Sequence, residues 1–229
     1  MDPAHLSSVV PYITTSRLST YLTACHEDMA QALRLYTWNV EVAAAFLGPL
    51  HLLEIGMRNS MHFQLSHFFE REDWWLHPEA PLSRTLQLQI ERTHSSSIRT
   101  ARRHGRTPHA DDMVPGFGFS FWISMLSSGG KLQFETRYWQ PILRHAFPHF
   151  HGSRKELFPQ FDFLRTFRNR IAHHEPIFHR HLASDYESIL RVSQYIDPAL
   201  AVFIDSQSRV PEVLAKRARV VEQGYSSSF

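Results

Sequence analysis

Apolar residues recur along most of this chain at helical spacing. The 3.6-residue period is clearest where Leu50, Leu53, Met57, Met61 and Leu65 fall on one face. That stripe predicts a long segment from Asn39, as its cap, to about Phe69, which Gly48-Pro49 should kink or divide. Upstream, Ser16 is the expected N-cap of a short helix carrying Leu18, Tyr21, Leu22 and Cys25. Glu27 to Tyr36 continues with Met29, Leu33 and Tyr36 on one side. Downstream, Arg71 to Pro81 reads as a loop with Trp74 and Trp75 against the core, and Ser83 starts a helix reaching about His104. Gly105 to Gly118 is a Pro/Gly/Asp-rich loop, Phe119 to Leu126 a buried apolar run and Gly129-Gly130 a turn. Lys131 to Tyr138 and Pro141 to Phe147 read as short helices. Arg154 to His174 forms a helix kinked by Pro159, and Ser184 to Ile196 and Val210 to Gln223 are two more. The tail, Gly224 to Phe229, is expected to be loose. Strand signals are weak throughout, and there is no repeat or low-complexity tract. The predicted fold class is all-α, one domain over residues 1–229 with its core at about 16–205.

Composition supports a packed core, with 43% hydrophobic and 13% aromatic residues. A formal charge of +2 means that the whole chain is not a polycation. Its positive charge is nevertheless carried by arginine, since only Lys131, Lys155 and Lys216 are lysine among 24 Lys and Arg residues. Arginine favours bidentate phosphate contacts and base stacking, although a genome rich in arginine codons produces the same bias. Cys25 is the one cysteine, which leaves no internal disulfide and fits a reducing compartment. Met1-Asp2-Pro3-Ala4-His5 shows no basic leader region. The apolar run Val40 to Met57 is broken by Gly48-Pro49, His51 and Glu54, short of the ~20 clean residues of a membrane span. The expectation is a cytoplasmic protein without membrane contact.

Candidate chemistry sits in Phe167-Arg168-Asn169-Arg170-Ile171-Ala172-His173-His174-Glu175-Pro176. A guanidinium can hold a phosphate and an imidazole can move a proton near neutral pH. Together they supply what metal-free RNA cleavage needs: a base for the 2′-hydroxyl and a charge at the transition state. Spacing alone is uninformative, because chance yields roughly 1.5 Arg-x4-His matches in such a chain. Three occur, at Arg99/His104, Arg144/His149 and Arg168/His173. Pro148 interrupts the second. The first lies in a polar run without an apolar stripe. The third has a packed frame on both sides.

On an ideal helix Phe163, Leu164, Phe167 and Ile171 share one core-facing sector, while Thr166, Asn169 and His173 lie opposite. Arg168 then lies about 140° from His173. Three arrangements would still join the pair: the long Arg168 side chain wraps round, the helix distorts, or a two-fold dimer pools two copies of each. His173 falls in the last turn, where the helix dipole favours a cation. His174 points toward the apolar sector as a core or interface histidine. A plainer reading also fits: Arg168, Arg170, His173 and His174 merely complement the helix C-terminus.

The block Phe167 to Phe178 resembles the signature of bacterial Abi-like (abortive-infection) proteins, in the HEPN superfamily of all-helical ribonucleases. Two softer blocks are similar: Leu35-Tyr36-Thr37-Trp38-Asn39 with Leu53-Glu54-Ile55-Gly56-Met57-Arg58-Asn59, and Phe119-Ser120-Phe121-Trp122 with Tyr138-Trp139. The resemblance implies a HEPN-like helical bundle with additional helices. It implies a metal-independent endoribonuclease without cofactor, acting as a homodimer in phage defence or as the toxin of a toxin–antitoxin pair whose antitoxin is protein or RNA. Arg168 and His173 would be catalytic and Asn169 the polar residue after the arginine, with the adjacent His174 leaving the choice of histidine open. Arg58 and Asn59 would contact RNA or support the motif, although Glu54 and Arg58 also read as a plain i,i+4 pair. Arg99, Arg102 and Arg103 would grip the RNA backbone, or form a solvated face. Two rival readings stand beside this one. A metal hydrolase on His173, His174, His179 and His181 lacks the usual ligand spacing. A non-catalytic HEPN module would bind RNA or protein through Arg168 and His173.

Overall fold

The computed structural model describes residues 8, 10–107 and 109–227. The Met1–His5 stretch, Pro108 in the predicted 105–118 loop, and Ser228 and Phe229 of the predicted tail lie outside the described residues. Among the described residues the fold is all-α, with no strand. Its helices are α1 (Thr15–Ala24), α2 (Met29–Phe69), α3 (Arg84–Arg103), α4 (Ala110–Met113), α5 (Phe119–Met125), α6 (Arg154–Ala172), α7 (Leu182–Ile196), α8 (Pro198–Gln207), α9 (Val210–Ala215) and α10 (Arg217–Val221). By length and apolar composition α2 passes the test for a membrane span, a test that a core helix passes as well. The chain gathers into two compact units: Met1–Leu50 with Arg168–Glu187 and Asp205–Phe229, and His51–Phe167 with Ser188–Ile204.

In the first unit Tyr21 of α1 packs edge-on to Tyr36 at 5.3 Å and tilted against Phe178 at 4.9 Å. The Trp38 indole donates to the Val213 carbonyl (3.0 Å), Arg34 Nε donates to the Val221 carbonyl (3.0 Å), and Arg217 lies over the Trp38 ring. These contacts hold α9 and α10 to the start of α2. Glu41 is buried at 2% exposure, accepts from the Ser227 hydroxyl and faces Arg209 at 3.7 Å. Tyr225 lies under Arg219. The described part of the tail is thus engaged, not loose, because it supplies a hydroxyl to a carboxylate that would otherwise be desolvated without a donor.

In the second unit an aromatic cluster forms around Trp74, Trp75, Phe117, Phe121 and Trp122, with Phe117 and Phe121 stacked at 4.4 Å. The Trp74 indole donates to His62 Nδ1 (3.2 Å), and burial pushes the pKa of the His62 imidazole down. Leu53, Met57, Met61 and Leu65 are fully buried, as the stripe predicts. The α6 N-terminus is capped where the Ser153 amide and hydroxyl both donate to the Glu156 carboxylate, at 2.7 and 2.8 Å. Arg154, 5% exposed, donates to Glu135 (2.7 Å) and to the Leu126 carbonyl (2.8 Å).

Several local expectations change. Thr14, not Ser16, caps α1. Gly48-Pro49 does not divide α2, since Pro49 lies inside one unbroken element, and Pro159 likewise lies within α6. Asn39 lies inside α2, whose start is set by Asp28 accepting from the Gln31 amide (3.0 Å). Phe163 is 44% exposed, because the buried line runs Leu157, Phe161, Leu164, Phe167, Ile171 and leaves it at the edge. The 105–118 loop contains α4 and a 3₁₀ turn at Val114–Gly116. Residues 131–147 form 3₁₀ and π turns instead of two α-helices. The helix α8 is additional.

Candidate functional site

The end of α6 builds the candidate site in the first unit. Arg168 and Asn169 are half-buried, and His173 is exposed. Arg168 shares its face with buried Leu164 (i−4) and Ile171 (i+3), whereas His173 stands on the outer side. The divergence expected on one helix is therefore present, and neither group is sealed from solvent.

Immediately after the helix the backbone turns sharply. His174 adopts φ 58°, its amide donates to the Ile171 carbonyl (3.0 Å), and the Glu175 amide donates to the Arg170 carbonyl (2.8 Å). This is a Schellman cap with His173 as the last half-helical residue and His174 in the left-handed position usually given to glycine. The side-chain contact that normally closes such a cap is apolar. Here it is ionic, Arg170 Nε to Glu175 Oε2 at 3.0 Å. His174 is exposed. It does not occupy the apolar sector predicted from ideal helical geometry, because left-handed dihedrals swing it off the helix path. Arg170 spends its guanidinium on the cap and is half-buried.

Two residues fix the segment beyond the cap, and sequence reasoning missed both roles. An Arg17 side-chain nitrogen from α1 donates to the His174 carbonyl. Asn39, 5% exposed, accepts from the Ile177 amide (2.8 Å) and the Phe178 amide (3.0 Å) through one oxygen. No local signal marks Arg17. Asn39 did carry one, as a polar residue between Trp38 and Val42, both buried.

The other sequence candidates fall in the second unit. Glu54 and Arg58 are half-buried and Asn59 is exposed, with Arg58 Nε donating to Asn59 Oδ1 (3.3 Å). Arg102 and Arg103 are exposed in the last turn of α3. The rival sites gain no geometry. Among the described residues no group of three or more His, Cys, Asp or Glu side chains is placed to hold a metal. Cys25 is buried, and desolvation, then the Asp28 charge, pushes its thiol up, away from a nucleophilic thiolate.

No family model, curated protein or solved structure matches this chain.

Proposed function

We propose that the chain is an Abi-like protein with a HEPN-type helical bundle, and that it is a metal-independent endoribonuclease. The observation that carries the reading is the end of α6. The Arg-x4-His pair of the resemblance block falls on a helix terminus whose histidine is exposed and whose C-terminal turn is clamped by Arg17 and Asn39. In this reading the ribose 2′-oxygen attacks phosphorus, and His173 takes the 2′-hydroxyl proton. The bond to the 5′-oxygen breaks, and that oxygen takes a proton from the partner's His173 or from water. Arg168 holds the non-bridging oxygens as charge builds on them. The products carry a 2′,3′-cyclic phosphate and a 5′-hydroxyl.

The separation of Arg168 from His173 around the helix supports a homodimer in which facing helices complete two sites. Asn169, with His174, lies in the same terminal turns as a supporting group. Arg102 and Arg103 offer exposed cations to the RNA backbone, and Arg58 with Asn59 a further contact. Action in phage defence, or as a toxin restrained by a protein or RNA antitoxin in the cytoplasm, belongs to the same reading.

The test is incubation of purified protein with total RNA in excess chelator, then mapping of the cut ends. Cleavage leaving cyclic phosphate termini is expected. Intact RNA, or cleavage only when metal is restored, would remove the proposal.

A further inference from the structure

A groove of about 620 Å³ opens in the first unit beside the α6 cap. Its walls include Arg17, Tyr36, Asn39, Ala43, Ala44 and His174. Ala43 and Ala44 give a low floor, and Tyr36 stands at one wall, edge-on to Tyr21. The lining is mainly apolar, yet it contains a buried amide with one end unused. Asn39 is 5% exposed, and its oxygen is committed to the Ile177 and Phe178 amides. Only an oxygen can accept from both N–H groups, which fixes the orientation of the amide. Its NH₂ end is therefore turned away from that bond pair, and no hydrogen bond engages it. Every fully enclosed side-chain nitrogen or oxygen among the described residues is bonded. The unbonded Asn39 nitrogen is therefore not fully enclosed, and since Asn39 lines the groove it offers a donor there beside Ala43 and Ala44.

A flat heteroaromatic with acceptors on its edge fits this combination. A phosphate fits less well, because the lining is mainly apolar and its one arginine, Arg17, already donates to the His174 carbonyl. His174 and Glu175 line the groove and come directly after His173 in the chain. We infer that the groove is the subsite for an unpaired nucleobase next to the scissile phosphodiester, so that the substrate is single-stranded RNA. This deepens the ribonuclease reading and rests on it for the identity of the ligand. Base-paired RNA keeps its bases stacked and cannot place one on the Ala43–Ala44 floor. Stacking with hydrogen bonding to a splayed base is the common basis of single-strand selectivity.

The test measures binding, not cleavage. Full-length protein carrying His173→Ala, chosen to slow any cleavage during the measurement, is titrated by fluorescence anisotropy with a single-stranded oligouridylate, an oligoadenylate and an RNA duplex. Single strands should bind more tightly than the duplex. Ala44 is exposed, so Ala44→Leu fills the groove without entering the core, and it should weaken single-strand binding roughly tenfold. Asn39→Asp keeps the acceptor for both backbone amides and deletes the donors. It should weaken single-strand binding roughly three- to tenfold. Neither change should alter duplex affinity. Unchanged single-strand affinity in both variants overturns the inference. A loss of dimer mass in Ala44→Leu with RNA affinity intact also overturns it, and would assign the groove to a second copy of the chain. Wild-type protein that cuts RNA while both groove variants bind normally loses the base subsite and keeps the nuclease. Wild-type protein that binds single strands through the groove and cuts nothing keeps the subsite and loses the nuclease.

Discussion

Two Arg-x4-His sequences in this chain occupy the same place in two different helices. Arg99/His104 closes α3 and Arg168/His173 closes α6, and each histidine is the first residue after its helix. The caps match in detail. At α3 the Gly105 amide donates to the Arg102 carbonyl (3.1 Å) and the Arg106 amide to the Ala101 carbonyl (3.1 Å), the pattern that His174 and Glu175 make at α6. A polar run therefore does not prevent a helical frame at Arg99. Buried Leu86, Ser97 and Ala101 are enough to anchor α3.

The two ends differ past their last helical residues. At α3 the left-handed residue is Gly105, φ 65°, and the next residue, Arg106, is held by the Asp112 carboxylate at 2.5 and 2.6 Å. At α6 the left-handed residue is His174, and the segment is held by a buried neutral amide and an arginine. A side chain in that conformation costs roughly 1 kcal/mol relative to glycine. The α6 end thus carries an imidazole where the α3 end accepts the cheaper residue. The motif is common to both; the support behind it is not.

Four measurements would break or sharpen this contrast. The largest effect should be on cleavage: Arg168→Ala or His173→Ala should each slow single-turnover RNA cleavage on the order of 10²–10⁴-fold. Arg99→Ala and His104→Ala should leave that rate within about twofold, since surface changes away from a reacting centre contribute little. Equal losses at both ends would erase the distinction. Next, Asn39→Ala should lower unfolding stability in urea by on the order of 2–4 kcal/mol, because two backbone amides lose their acceptor. An unchanged urea midpoint would show that the clamp contributes nothing. Third, Gly105→Ala should cost about 1 kcal/mol, while His174→Gly should cost nothing or gain up to about 1 kcal/mol. The reverse order would contradict the cap assignment.

The smallest effect is one of pH. The Arg106 guanidinium, then the His109 amide, holds the Asp112 carboxyl well below the usual carboxylate range. A group lowered in the folded state stabilises above its unfolded pKa and loses that contribution as protons reach it. Below about pH 4, protection of the amides in residues 105–113, relative to their intrinsic exchange rates at the same pH, should therefore fall, while the Asn39-held amides of Ile177 and Phe178, which involve no titrating group, stay protected. Simultaneous loss of protection would mean that the two clamps do not differ in kind.

Local physics made much of the fold legible. The Leu53–Leu65 face, the Ser83 cap and the buried Trp74 and Trp75 follow from periodicity and capping chemistry alone. So do the helix class and the placement of His173 at a terminus. Asn39 was misassigned because a short polar side chain before an apolar run reads as a helix start. Its partners lie 138 and 139 residues away, and no local pattern can show them. Gly48-Pro49 suggested a kink or a division because proline removes a helix bond, and α2 is not divided there, where buried Phe46, Leu50 and Leu53 flank the lost bond. α8 did have a local signal, Asp197 accepting from the Ala199 amide (2.7 Å) ahead of Pro198 at the first helical position. Asp-Pro, however, is equally a turn signal. The left-handed His174 could not be foreseen, because neither its neighbours nor its own propensity requires it.

The chain passes from one compact unit to the other four times, between Leu50 and His51 in α2, Phe167 and Arg168 in α6, Glu187 and Ser188 in α7, and Ile204 and Asp205 in α8, each time inside a continuous helix. None of these crossings is a linker. A protease or a cloning scheme that seeks separable halves would have to sever four sets of intrahelical bonds, and the second cut would fall on the peptide that introduces the candidate catalytic arginine. Evolutionary shuffling meets the same obstacle, so the piece that carries this chemistry is expected to be inherited whole and not traded as a cassette.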